Sequence, residues 1–217
     1  MNTIVASGLK YFLLFCLLYS ALTAISLIPQ VGASSNYLYR QPTQAFLKTI
    51  FPKAYLSLKT EAGNADLIRV EYASKARIQQ LMRERAANPS LRQQALQIPG
   101  KTYDIRFYNM FLSFYLFFLV LMVLSPLPWK ERLTGMAIGT ILFYLYTLFR
   151  TSLILILLFN EPDVAIYQTN KTLILIFQKL QYGLTMGVKM VFIIILWAVL
   201  TFRKSNWKEL FKSKVKG

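Results

Sequence analysis

The chain has no histidine, and Cys16 is its single cysteine among 217 residues. Without histidine, the commonest general base, proton shuttle and metal ligand is missing. Serine–histidine and cysteine–histidine catalysis within the chain are thereby excluded. One cysteine forms neither an internal disulfide nor a thiolate zinc cage, and in an apolar helix it reads as a small packing residue rather than a reactive thiol. Acids are scarce too: 9 Asp and Glu stand against 25 Lys and Arg, for a net charge of +16. Only 16% of the residues are charged, where a soluble domain carries about 25%. With 55% hydrophobic residues, this composition belongs to the membrane class.

What the chain does have is long apolar runs. A membrane helix needs roughly 20 mostly apolar residues, and four stretches meet or approach that length: 11–28, 107–124, 133–159 and a span within 172–202. The first stops at Pro29, the second at Ser125-Pro126-Leu127-Pro128 and the third at Asn160-Glu161-Pro162. Proline ends a helix because it lacks an N–H and clashes with the preceding turn. The sequence therefore predicts an α-helical integral membrane protein with four transmembrane helices. Its parts are an N-terminal helix (1–29), an outer insert (30–106), a three-helix region (107–202) and a basic tail (203–217).

Loop charge sets the orientation. The tail carries Arg203, Lys204, Lys208, Lys212, Lys214 and Lys216, and the loop after the second run carries Lys130 and Arg132. The positive-inside rule puts both in the cytoplasm. Both termini are then cytoplasmic, and residues 30–106 and the acidic 161 loop lie outside a cell inner membrane. The insert is basic as well, but long loops translocate largely regardless of charge. Trp129, Trp197 and Trp207 fall near the inner interface, where indoles are enriched. Val31-Gly32-Ala33 after the first run also allows a cleaved signal peptide. The run exceeds the usual h-region of about 7–15 residues, which favours a retained helix.

The insert between the first two helices reads as a small α+β unit. Leu56 and Leu58 alternate, as do Ile68, Val70 and Tyr72, with the turn-rich Glu61-Ala62-Gly63-Asn64 between them. That pattern is a hairpin. Ser74 caps a helix to Ala87, with Ile78, Leu81 and Met82 on one face. A short second helix is expected from Ser90 to Leu96, and Tyr103, Ile105 and Phe107 alternate on a strand leading into the second run. Arg77, Arg83, Arg85 and Arg92 form a basic face suited to anionic lipid headgroups.

Two cations fall inside the apolar runs. Arg150 lies about 13 Å below the outer end of its helix at 1.5 Å per residue, and Lys189 falls near mid-membrane. A cation at helix centre costs about 2.5–3.5 kcal/mol on insertion scales and is a functional candidate by default. No Asp or Glu lies within a run, so the available partners are carbonyls, hydroxyls, an anionic ligand, a lipid phosphate or another protein. The bland reading is snorkelling or capping of carbonyls. Gln178, Tyr182, Thr185 and Lys189 recur at helical spacing and predict one polar stripe. Gly135 with Gly139, and Gly183 with Gly187, are small-xxx-small pairs. They allow the third and fourth helices to pack closely or a homo-oligomer to form.

The order Tyr103-Asp104-Ile105-Arg106-Phe107-Tyr108-Asn109, an apolar helix, Ser125-Pro126-Leu127-Pro128-Trp129-Lys130-Glu131-Arg132-Leu133, then an apolar helix reaching Leu148-Phe149-Arg150 resembles the exosortase and archaeosortase group of bacterial and archaeal membrane proteins. It resembles equally their membrane companions that lack the active site. The resemblance covers about residues 103–160. It places Arg150 at the family's arginine position, while the cysteine position in the 106–110 region holds no cysteine and the histidine is missing. The resemblance therefore implies a catalytically dead relative or accessory subunit.

The leading expectation is thus an inner-membrane accessory or scaffold protein, without catalytic residues, metal ligands or cofactor. Its partners would be the bilayer, anionic phospholipid and a membrane-protein partner or second copy; nucleic acid is not among them. Asp104 and Arg106 are the outer-surface contacts to examine. An alternative is an enzyme or binding protein for a phosphate-bearing lipid, with Arg150 and Lys189 on the headgroup and Asp104, Glu161 or Asp163 as acids. A third reading is a small oligomeric transporter.

Overall fold

The computed structural model describes residues 3–61, 64–87, 100–185 and 187–202. The expected helix at 90–96 and the basic tail with Trp207 lie outside these residues. The chain is mostly helical with one small antiparallel sheet. Among the described residues two helices are long and apolar enough to cross a membrane, Gly8–Ser26 and Trp129–Phe159, and a third crossing is available if two consecutive helices act as one broken span. The chain divides into two units, the first from Met1–Ile28, Tyr108–Thr147 and Gly183–Gly217, the second from Pro29–Phe107 and Leu148–Tyr182. The second unit thus takes in more than the insert, because residues 148–182 pack with it.

In the first unit, α1 (Thr3–Ser26) ends as expected ahead of Pro29. Ser26 turns its hydroxyl back to the Thr23 carbonyl at 2.7 Å, which closes the last turn. The second apolar run forms a π-turn at Tyr108–Leu112 followed by α4 (Ser113–Leu124). Arg132 holds the end of α4: its Nε donates to the Leu127 carbonyl at 2.6 Å and its Nη1 to that of Val123 at 2.9 Å. These are carbonyls that a helix C-terminus leaves open. The core gathers Phe118, Met122, Phe143, Ile193 and Leu196, and a run of ring contacts links Phe111, Tyr115, Phe143, Tyr146 and Phe192. Trp197 donates to the Ser125 hydroxyl at 2.8 Å, so its indole is spent on a hydrogen bond within the unit.

Neither glycine pair packs the third and fourth apolar segments against each other. A Cβ on Gly139 would run into the Phe118 ring and one on Gly135 into the Met122 methyl. This pair therefore seats α4 against α5 (Trp129–Phe159), not the third and fourth apolar segments against each other. Gly183 and Gly187 meet open space. Gly187 instead has φ +72°, a left-handed conformation open to glycine at little cost.

The fourth segment is two helices, α6 (Lys171–Thr185) and α7 (Val188–Phe202). Apolar periodicity runs through the break, so hydropathy alone reads one long helix; Gly187 is the local signal that it is interrupted.

The second unit is built on a three-stranded antiparallel sheet, order β1-β2-β3. The hairpin β1 (Ala54–Glu61) and β2 (Asn64–Ser74) pairs Leu56 with Tyr72 and Leu58 with Val70. The alternation puts Leu56, Leu58, Ile68, Val70, Tyr72 and, from β3 (Lys101–Arg106), Ile105 on the buried face. The helix α3 (Lys75–Ala87) follows, with the Ser74 hydroxyl accepting from the Arg77 N–H and Ile78 buried; Met82, expected on the same face, is exposed.

The element missing from the sequence reading is α2 (Pro29–Ile50). Pro29 opens it as its first residue, where proline's missing N–H costs nothing. Its inner stripe of Asn36, Tyr39, Thr43 and Leu47 is half polar: Thr43 donates to the Tyr39 carbonyl and Asn36 reaches β2, while Arg40 and Gln44 beside the stripe serve the edge strand β1. Gln44 accepts from the Leu58 N–H at 2.7 Å, Arg40 donates to the Leu58 carbonyl at 2.9 Å, and Asn36 donates to the Ala65 carbonyl at 2.6 Å. A strand edge left bare would offer these groups to another chain. Phe159, at the end of α5, packs on Phe51, Tyr72 and Tyr167.

Candidate functional site

Within the second unit, β3, the last turns of α5 and α6 line an open pocket of about 440 Å³. Its lining mixes the apolar Ile154, Leu157, Leu158 and Ile174 with the polar Tyr103, Asn160, Glu161, Gln178 and Gln181. Half-apolar lining with a few polar groups is the ordinary make-up of a small-molecule site, and the volume falls in the usual range of about 300–1,000 Å³. Asn160 is a structural member of the wall. Its amide donates to the Ile156 carbonyl at 2.7 Å and accepts from the Thr169 N–H at 2.8 Å, which pins the loop after α5.

Arg150 stands one turn before Ile154 on α5. Positions 150, 154, 157 and 158 follow i, i+4, i+7, i+8 and so share one face of α5; Arg150 is not itself among the lining residues, and Glu161 stands in the loop after the helix. Arg150 is half-buried, and its Nε is buried without a hydrogen-bond partner among the described residues. Burial raises the Tyr103 phenol above its ordinary value, and the Arg150 charge opposes that rise.

The acids nearby are held in ion pairs. Lys101 Nζ lies 2.9 Å from Glu161 and 3.1 Å from Asp163. Arg69 bridges Asp104 at 3.2 Å and Glu61 at 3.1 Å across the strands. The pairing raises Lys101, through Glu161 first and Asp163 next, and raises Arg69, through Asp104 first. Asp104 is a cross-strand partner of Arg69 that stays exposed, and Arg106 is exposed at the end of β3. A second pocket of about 320 Å³ lies along β2 and β3 at Tyr72, Gly100 and Thr102.

The other sequence candidates separate. Lys189 belongs to the first unit. Its Nζ donates to the Asn109 carbonyl at 3.2 Å and lies 4.8 Å from the centre of the Phe114 ring, the carbonyl-capping arrangement named as its bland reading. The expected single stripe of Gln178, Tyr182, Thr185 and Lys189 does not exist, because the helix ends at Thr185 and restarts at Val188. Of that stripe Gln178 lines the cavity, while Tyr182 is 65% exposed and is not among its lining residues.

Sequence reasoning singled out Arg150 and Gln178 but not the cavity. Its residues come from 103, 154–161 and 174–181, and only the i, i+4, i+7, i+8 spacing above Arg150 signals part of it. Among the described residues no group of His, Cys, Asp and Glu has the makings of a metal site. Comparison with protein families, curated proteins and solved structures finds no match.

Proposed function

We propose that this chain is a multi-pass accessory or scaffold protein of a bacterial inner membrane, a non-catalytic companion of an exosortase-like protein-sorting system. In this reading the chain crosses the bilayer four times, through α1, the π-turn with α4, α5, and the α6–α7 pair as one broken span. Residues 30–106 are outside and both termini are cytoplasmic. The two long apolar helices and the charge of the 130 loop and the tail support that topology.

One observation carries the non-catalytic reading. The outer carboxylates that acid–base chemistry would require, Asp104, Glu161 and Asp163, are each engaged by Arg69 or Lys101, and the chain has no histidine to replace them. A general base must be free to reach the proton it takes.

The test is cross-linking in intact cells followed by extraction in a mild detergent. A larger membrane protein should co-purify, and should still do so with Asp104→Asn, Glu161→Gln and Asp163→Asn combined. Isolation as a lone monomer with no cross-linked protein would overturn the scaffold reading. For the topology, Thr102→Cys in a Cys16→Ser background should react with an impermeant maleimide in whole cells, and Lys130→Cys only after permeabilisation. The reverse labelling would overturn the orientation.

A further inference from the structure

We infer that α2 is an interfacial helix whose outer face docks on lipid, in the headgroup layer of the bilayer that α1 enters. Positions 31, 38, 42 and 46 follow i, i+7, i+11, i+15 and so lie on one face of α2. They hold Val31, Leu38, Pro42 and Phe46, all exposed, Leu38 at 72%. The buried stripe that packs on the sheet, Asn36, Tyr39, Thr43 and Leu47, stands about a third of a turn to one side. Tyr37 and Lys48 stand about a third of a turn to the other side, and both are exposed. The helix thus has one side taken by protein, one apolar and uncharged, and one carrying a phenol and an ammonium. Tyrosine and lysine beside an apolar face are the side chains that reach from lipid to headgroups and water.

The chain connection makes lipid the occupant rather than a second copy or another protein. Helix α1 ends at Ser26 and α2 begins at Pro29, a distance of at most roughly 11 Å over three residues. Once α1 spans the bilayer, the first turn of α2 cannot leave the membrane surface. Leu27 and Ile28 between the helices are exposed as well, so exposed apolar side chains continue from the span onto the outer face of α2. Charge agrees. The first 60 residues contain no Asp or Glu, so neither helix carries an acid to repel an anionic headgroup. Proline sets the depth. Pro42 has no N–H to offer the Leu38 carbonyl, and an open carbonyl needs water or headgroup donors that hydrocarbon does not supply. The inference rests on α1 crossing the bilayer and not on the accessory role.

The test is nitroxide depth in the full chain, in a Cys16→Ser background, at low protein density in vesicles of dioleoyl phosphatidylglycerol. One label at a time is placed at Leu17→Cys in α1, at Tyr37→Cys, Leu38→Cys and Phe46→Cys in α2, and at Asn64→Cys on the hairpin; all five positions are exposed, so no label displaces a packed side chain. Collision with oxygen, which concentrates in lipid, is compared with collision with a water-soluble nickel chelate. The labels at 38 and 46 are expected about 5–10 Å into the headgroup–acyl boundary, shallower than 17. The label at 37, the next residue in sequence, is expected on the water side with 64. Phe46→Cys decides the matter if Leu38→Cys fails to fold. Nickel access at 38 and 46 equal to that at 64, with 17 still deep, would overturn the inference and leave the span in place. Nickel access at 17 as well would overturn the span and the inference together. Shielding of 38 and 46 from both reagents would mean that protein covers the face, which also overturns it.

Discussion

Lys189 and Arg150, one half-buried cation from each unit, are treated in opposite ways. In the first, Lys189 reaches the Asn109 carbonyl and lies over the Phe114 ring. In the second, Arg150 leaves its Nε buried and unpaired among the described residues, and Tyr103 feels its charge. The same contrast runs through their packing. The first unit is closed by rings and by side chains that return to backbone carbonyls, as Arg132 and Ser125 do. The second spends polar side chains on a sheet edge and on surface ion pairs, and lines a partly polar open pocket. A cation deep in an apolar run is therefore not by itself a site; what surrounds it decides whether it is structural or open to a ligand.

The largest expected effect breaks the symmetry between the two glycine pairs. Gly139→Ala drives a methyl into the Phe118 ring, which is fully buried and has little room to yield. Overpacking of this kind costs about 1–3 kcal/mol. Gly135→Ala should cost less, because the obstacle is the flexible end of Met122. Gly183→Ala meets nothing and should stabilise α6 by up to about 1 kcal/mol, the difference between glycine and alanine inside a helix. Thermal unfolding in detergent reads all three. A destabilised Gly183→Ala would mean that a second copy or a partner covers that face.

The second expectation bears on the cations themselves. Lys189→Met removes a carbonyl bond and a ring contact and should cost about 1 kcal/mol. Arg150→Met removes a guanidinium whose buried Nε has no hydrogen-bond partner among the described residues, so in delipidated protein it should be neutral or stabilising. Equal losses at the two positions would remove the contrast between them. A loss at Arg150 seen only before lipid is stripped would sharpen it, since a ligand that binds the native state adds to its stability.

The elements legible in the sequence were those whose pattern is local. Alternation at Leu56, Leu58, Ile68 and Val70 marked the hairpin, and Ser74 marked the start of α3. Helix α2 was hidden because its inner stripe carries Asn36 and Thr43 and its interior holds Pro42, so neither apolar periodicity nor propensity announces it. Its logic is tertiary: Gln44 and Arg40 finish a strand edge that the sequence does not reveal. The break before Val188 was hidden for the opposite reason, since apolar residues continue on both sides. Arg150 was legible as a charge in an apolar run. The space above it was not, because Tyr103 and Gln178 reach it from distant parts of the chain.

The smallest expected effect lies in the pH dependence of the second unit. Lys101 sits above the ordinary lysine value of 10.5 because of its bonds to Glu161 and Asp163. A group whose folded value is raised binds its proton more tightly in the native state than in the unfolded one. Its contribution to stability is therefore complete below the unfolded value and fades as the pH climbs through the folded one. Tyr72 and Tyr103, raised chiefly by burial, push in the same direction, so stability should fall above about pH 10, where free tyrosine and lysine titrate. Lys101→Met separates the two sources. It removes the lysine part of the alkaline decline and leaves the tyrosine part, so the variant's midpoint should fall less steeply between pH 9 and 11 in low salt. Because the pair is exposed, added salt should shrink the difference. An unchanged slope would mean that the contact with Glu161 and Asp163 does not hold the strand to the loop after α5.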